Sequence, residues 1–192
     1  MEKYSILDGK SFLFDEYEIA SVSIKDALPI MNWRNQQIDA LRQKDYLTEK
    51  DQLDYFHQVV QPQYSKSNPD PLLMGFTKED ELIGYGGLVH IDWNNRRAEV
   101  SFLLESKRAK NLTLYKKELQ VFFSLIKELA FDHLGLNKLS TESYAHRQHH
   151  VMAIEESGFV REGILRQQTM IDGQWVDAVI ASCLCKDYLP VK

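Results

Sequence analysis

LLMGFTKEDELIGYGGLVHIDWNNRRAEVSFLL, running from Leu72 to Leu104, divides into three β-prone runs separated by two polar turns. Leu72 to Thr77, Leu82 to Trp93 and Ala98 to Leu104 carry β-branched, aromatic and aliphatic residues, and Lys78-Glu79-Asp80-Glu81 and Asn94-Asn95 supply the reversals. An antiparallel meander is expected. Gly84, Gly86 and Gly87 fall inside its middle strand, where glycine marks a bulge, a sharp bend or a close backbone approach.

Working outward, Tyr115 to His133 follows the meander as the longest periodic segment, with Leu119, Phe122, Phe123, Ile126, Leu129 and Ala130 on one face. It reads as a core-packed helix. Lys138 to Ser143 then reads as a strand, Gln148 to Ser157 as a short helix, and Phe159 to Met170 with Trp175 to Leu184 as a hairpin around Asp172-Gly173. Before the meander, Phe12 to Phe14 and Tyr17 to Val22 are short strands. Ser23-x-x-Asp26 and Thr48-x-x-Asp51 have the spacing of capping boxes that open two helices, the second ended by Pro62. This order predicts an α/β fold: a central mixed, mostly antiparallel sheet flanked by helices.

The composition bounds the rest. The 192 residues, 44% of them hydrophobic, suffice for one core and predict a single domain over residues 1–192. A net charge of -5, with scattered Lys and Arg, argues against nucleic acid or an anionic membrane as partner and for a small molecule or a protein. Met1 to Lys10 lacks a basic start and apolar run, and no stretch reaches membrane-span length, so a cytoplasmic location is expected. Cys183 and Cys185 are read as core residues of one strand face rather than a metal pair. His146, His149 and His150 lack the further ligands of a metal site, so no metal is expected.

Four pieces, IGYGGL at Ile83 to Leu88, AEVSF at Ala98 to Phe102, AFDHLGLNKL at Ala130 to Leu139 and GFVREGILR at Gly158 to Arg166, resemble the GCN5-related N-acetyltransferase (GNAT) family. The resemblance is to the branch acting on ribosomal-protein amino termini or nucleotide-linked amino sugars. Met31-Asn32-Trp33-Arg34-Asn35, followed by Leu41-Arg42, resembles that branch's substrate-side helix. The resemblance implies a single GNAT-like domain that uses acetyl-coenzyme A as co-substrate and a small-molecule amine as acceptor. The implied acceptor is a nucleotide-linked amino sugar. Protein N-terminal acetylation and a degenerate, non-catalytic binding protein are the alternatives, and a homodimer is left open.

The same resemblance implies residue roles. Glu99 matches the acidic residue placed beside the acetyl group and is the expected base, whereas an outward, solvated Glu on an alternating strand is the plainer reading. Phe102, Leu103 and Leu104 lie on the strand that splays to pair with the pantetheine arm. Trp33, Arg34 and Asn35 form a substrate wall, or else Trp33 packs in the core and Arg34 is a surface cation.

The phosphate-binding loop departs from the family pattern. Where glycines are expected, the sequence is Ser106-Lys107-Arg108-Ala109-Lys110-Asn111-Leu112-Thr113. Lys107, Arg108 and Lys110 are then expected to bind the coenzyme phosphates by side-chain charge, with Asn111, Leu112 and Thr113 continuing the site, unless the cations only solubilise a surface turn. Arg147 and Ile154 stand where the family carries an Asn and a thiolate-protonating Tyr. Arg147 is assigned to the coenzyme side, and no general acid is assigned.

Overall fold

The computed structural model describes residues 3–188; the first two residues of the amino-terminal stretch and residues 189–192 lie outside it. Among the described residues eight strands form one mixed sheet. They are β1 (Phe12–Phe14), β2 (Tyr17–Ser21), β3 (Leu72–Lys78), β4 (Glu81–Asp92), β5 (Arg97–Leu104), β6 (Lys138–Tyr144), β7 (Val160–Ile171) and β8 (Gln174–Leu184), in the order β1-β2-β3-β4-β5-β6-β8-β7. The expected meander is β3-β4-β5, and the expected terminal hairpin is β7-β8. Asp172 and Gly173 both adopt positive φ, 49° and 76°, as the tight turn between twisted strands requires.

Five helices accompany the sheet among the described residues: α1 (Ala27–Gln36), α2 (Glu49–Tyr55), α3 (Ser106–Ala109), α4 (Leu112–Lys127) and α5 (Gln148–Glu156). Asp26 accepts from the backbone N–H and hydroxyl of Ser23 at 2.8 and 2.9 Å, and Asp51 accepts from Thr48 N–H at 3.0 Å while its own N–H donates to Thr48 Oγ1 at 3.2 Å. Both capping boxes therefore form, the first through a 3-10 turn that leads into α1. α2 runs on into a π turn at Phe56–Val60, and Pro62 sits in the 3-10 turn that follows.

One interruption of the sheet positions everything else. β5 and β6, the only parallel neighbours among the described residues, pair at Arg97, Ala98 and Glu99 against Lys138, Leu139 and Ser140 and no further. Beyond that point β5 stays with β4 as far as Leu104, and β6 stays with β8 as far as Tyr144. The splay expected of Val100 to Leu104 is thus present. Gly86 allows β4 to lie close to β5 and α4 at this place: a Cβ there would sit 2.1 Å from the Ser101 carbonyl oxygen and 2.8 Å from the Phe122 ring.

Two expectations are corrected. The segment from Ser106 to Thr113 is not an open loop, because α3 forms within it and α4 begins at Leu112, a turn before the expected Tyr115. Asn111 caps α4 by accepting from the Leu114 N–H at 3.1 Å, and the polar Ser106-Lys107-Arg108 run has no helix breaker to prevent the extra turn. Cys183 is buried, but β8 ends at Leu184, so Cys185 enters a 3-10 turn and is exposed rather than a core residue.

α4 buries Leu119, Phe122, Phe123 and Ile126 as its periodicity demands, but it also buries Glu118 completely. Arg108 of α3 answers that charge. Its Nε lies 3.0 Å from Glu118 Oε2, and its Nη2 also donates to Oε1. Removing Arg108 strands a carboxylate in the core, a loss of about 3–5 kcal/mol. Arg108→Ala is expected to lower the urea midpoint accordingly, while Arg108→Met with Glu118→Leu returns it close to wild type. An unchanged midpoint for Arg108→Ala would show that Glu118 is reached by water.

Candidate active site

The splay opens a cleft of about 370 Å³. Residues 99–102 of β5 and 141–144 of β6 border it, joined by Phe123 of α4, by Arg147, which precedes α5, by His150 and Ile154 of α5, and by residues 40–43. Glu99 stands where the parallel ladder ends. Its Oε1 receives Arg42 Nη2 at 2.7 Å and its Oε2 lies 3.2 Å from His90 Nδ1. Glu142 of β6 lies 3.5 Å from the same Arg42 nitrogen, so one guanidinium bridges carboxylates from the two strands that part here.

The segment carrying Arg42 is a strap. Tyr144 Oη donates to the Leu41 carbonyl at 3.1 Å, and Arg147 Nη1 donates to that of Ala40 at 3.2 Å. Arg34 Nε donates to the side chain of Gln43 at 2.9 Å, and Asn35 Oδ1 accepts from Gln43 and from the Leu47 N–H. A wider groove of about 610 Å³ borders the same strap and shares Leu41, Arg42, Gln43, Glu142 and Tyr144 with the cleft.

The residues of the expected substrate wall therefore separate. Arg34 borders the cleft and also donates to Tyr85 Oη at 2.7 Å. Asn35 holds the strap instead of bordering the cleft, and Trp33 packs against the core. On the coenzyme side, Phe102 borders the cleft, whereas Leu103 and Leu104 are buried and the Leu104 carbonyl accepts from Gln37 Nε2 at 2.9 Å. Arg108 is turned inward by Glu118, which removes it from the set of free cations. Lys107, Lys110, Asn111, Leu112 and Thr113 remain exposed, and Arg147 lies at the cleft with its guanidinium spanning Ala40 and Tyr115.

Sequence reasoning passed over Glu142, Tyr144 and Ser143, and named Arg42 only as part of the substrate-side stretch, without a role. Ser143 borders the cleft, is buried, and its Oγ has no hydrogen-bond partner among the described residues. A buried hydroxyl without a partner is uncommon in a folded protein. Among the described residues no group of three or more His, Cys, Asp or Glu side chains is placed to hold a metal, and no helix is long and apolar enough to cross a membrane.

This geometry, a sheet parted at one parallel seam with a carboxylate at the apex, meets its family at the level of sequence as well: residues 19–180 match the model of the acetyltransferase (GNAT) domain. The chain belongs to the GNAT acetyltransferases. As a member it is an acetyl-coenzyme A-dependent N-acetyltransferase. No curated protein sequence matches this acetyltransferase.

Solved structures share its fold at low identity. The spermidine N-acetyltransferase of Vibrio cholerae in complex with CoA and spermine is 18% identical, with 91% of this chain and 98% of that one covered at a TM-score of 0.73. The ribosomal-protein-S5-alanine acetyltransferase of Vibrio fischeri is also 18% identical, with 94% and 100% covered at 0.73.

The orphan hydroxyl yields a check on the cleft. Ser143→Ala removes a buried group that gains nothing in the free protein, so stability is expected to stay within about 0.5 kcal/mol or to rise. Denaturant unfolding measures it. A loss above about 1 kcal/mol would mean that Ser143 is satisfied within the fold.

Proposed function

We propose that this acetyltransferase modifies a primary amine of a small cationic molecule, with Glu99 as the base and the splayed cleft as the seat of the thioester. The observation that carries this is the position of Glu99, a carboxylate at the apex of the splay and on the border of the cleft. An amine is protonated at neutral pH and attacks only as the free base, so a carboxylate at the point of entry has work to do. The cleft suits the donor. It offers a strand released from its ladder, whose backbone groups can meet amides and a carbonyl of the acyl donor.

The acceptor reaches Glu99 past Arg42. The Arg42 side chain is 47% exposed, and ion pairs that open to water contribute roughly 0–1 kcal/mol. A substrate held even at millimolar affinity brings about 4 kcal/mol. An incoming ammonium therefore displaces the guanidinium at small cost, and Glu142 gives it a second carboxylate. This pair favours a cationic amine over a nucleotide-linked amino sugar, whose diphosphate would meet the same carboxylates.

Glu99→Gln is expected to lower amine acetylation on the order of 100-fold while coenzyme A still binds. Retained turnover removes Glu99 from the mechanism. Arg42→Ala should lower the apparent acceptor constant for a diamine such as putrescine, since nothing then competes for the carboxylates. A raised constant would make Arg42 part of the acceptor site.

The phosphate end generates its own test. α3 and the Asn111 cap leave no glycine loop to converge N–H groups on an anion, and of the three cations only Lys107 and Lys110 are free. Side-chain contacts of this kind are screened by salt. Coenzyme A is expected to bind weakly by calorimetry and more weakly still as salt is raised, with Lys107→Ala/Lys110→Ala removing most of the salt dependence. Salt-independent binding would place the phosphates elsewhere.

A further inference from the structure

A departing aliphatic thiolate needs a proton, and the cleft holds one polar chain that the transfer described above leaves unused. Tyr115 Oη lies 2.8 Å from His150 Nδ1 and receives Arg147 Nη2 at 3.3 Å. Tyr115 and His150 are buried, and His150 and Arg147 border the cleft. His150 sits one helical turn before Ile154 and shares its face.

The hydrogens on this chain can be assigned. Arg147 can only donate, so it occupies a lone pair of the Tyr115 oxygen and leaves the single phenolic hydrogen for Nδ1. Nδ1 is then the acceptor, and a neutral imidazole carries its hydrogen on Nε2. Burial holds the His150 pKa well below the ordinary histidine value, and the positive charge of Arg147 and the neighbouring His149 act the same way, which keeps the ring neutral. Nε2 makes no hydrogen bond among the described residues, yet it is not one of the sealed polar atoms without a partner, which are Tyr17 Oη and Ser143 Oγ. It is therefore the ring nitrogen left without a partner among the described residues, on a residue that borders the cleft.

Other donors at the cleft are committed or weak. Tyr144 gives its hydrogen to Leu41, both outer nitrogens of Arg147 are engaged, and the Ser143 hydroxyl is a poor acid.

We propose that His150 is the proton donor to the coenzyme A sulfur, supplied by Tyr115 and steadied by Arg147. This rests on the reading of the cleft as the thioester seat. As the bond from the acceptor nitrogen to the acetyl carbon forms and the carbon–sulfur bond breaks, the electron pair stays on sulfur and takes the Nε2 proton. The Tyr115 proton moves to Nδ1, and the resulting tyrosinate faces the Arg147 guanidinium. Burial pushes the Tyr115 pKa up and Arg147 pulls it back, so the arginine is what makes a transient tyrosinate tolerable. Two protons leave the acceptor ammonium through Glu99 to solvent. One proton returns from solvent to His150 Nε2 as the Nδ1 proton passes back to Tyr115, which restores the starting tautomer, so a single proton is released for each turnover. His150 touches the reacting sulfur, whereas Tyr115 and Arg147 are positioning residues.

The test uses the full chain and two donors, acetyl-coenzyme A and S-(4-nitrophenyl) thioacetate, whose leaving thiolate needs no proton. His150→Phe is expected to reduce kcat with acetyl-coenzyme A on the order of 100-fold, to leave coenzyme A affinity unchanged by calorimetry, and to slow the nitrophenyl donor by less than about threefold. Should His150→Phe fail to fold by thermal melting, Tyr115→Phe, which removes only an oxygen, is expected to show the same split at about tenfold.

Side-chain nitrogen NMR of the substrate-free protein supplies a readout independent of turnover. The Nε2–H tautomer is expected for His150, with the Nδ1 resonance moving in Tyr115→Phe. An Nδ1–H tautomer, equal slowing of both donors, or no slowing of either overturns the role of His150 alone. A wild-type protein that turns over neither donor overturns the acetyltransferase mechanism and this role together.

Discussion

The structure depends on how short one ladder is. Parallel strands gain their stability from evenly spaced hydrogen bonds, and β5 and β6 keep only the first three residue pairs of theirs. Each strand then follows its antiparallel neighbour, so the sheet remains continuous while a gap opens inside it. That gap is bordered by backbone, which gives fixed polar groups at no cost in side-chain ordering, and it is closed at its apex by Glu99. The long helix α4, the strap after α1 and the start of α5 all meet at this opening.

Two arginine–carboxylate pairs show how burial sorts similar contacts into different tasks. Glu118 has no exposure and Arg108 is partly buried, so loss of Arg108 leaves Glu118 an unsolvated charge. Glu99 and Arg42 make a contact of ordinary length, but Arg42 is half in water and can exchange partners cheaply. The first pair fixes α3 on α4 and accounts for a cation that does not serve the coenzyme. The second leaves the carboxylate at the apex within reach of an incoming cation.

Much of the fold was legible because it is written in local patterns. Alternation marked the strands from Leu72 to Leu104, the spacing of Ser23 with Asp26 and of Thr48 with Asp51 marked two helix starts, and Asp172-Gly173 marked the last turn. Glu99 could be singled out as an acidic residue on a β-prone run. What escaped depends on partners distant in sequence. Nothing near Arg108 announces Glu118 ten residues on as a buried acid, and Tyr115 and His150, 35 residues apart, become neighbours only when α4 and α5 pack. The extra turn of α3 escaped because a missing glycine signals a lost loop without saying what replaces it. Cys185 escaped because alternation continues in the sequence one residue beyond the point where the strand stops.

The three-pair seam also bears on how the chain reaches its native state. β1 to β5 pair between neighbours in sequence except for β2 with β3, and β7 with β8 is a simple hairpin, so most of the sheet can form from nearby segments. Joining β5 to β6 requires the whole of α3 and α4 to be traversed first, and loop closure must precede any gain from the contact. Three residue pairs give little return for that closure. The docking of α4, with its row of phenylalanines against the sheet, has to supply the rest, so the helix core rather than the strand ladder governs when the two halves of the molecule become one cooperative unit.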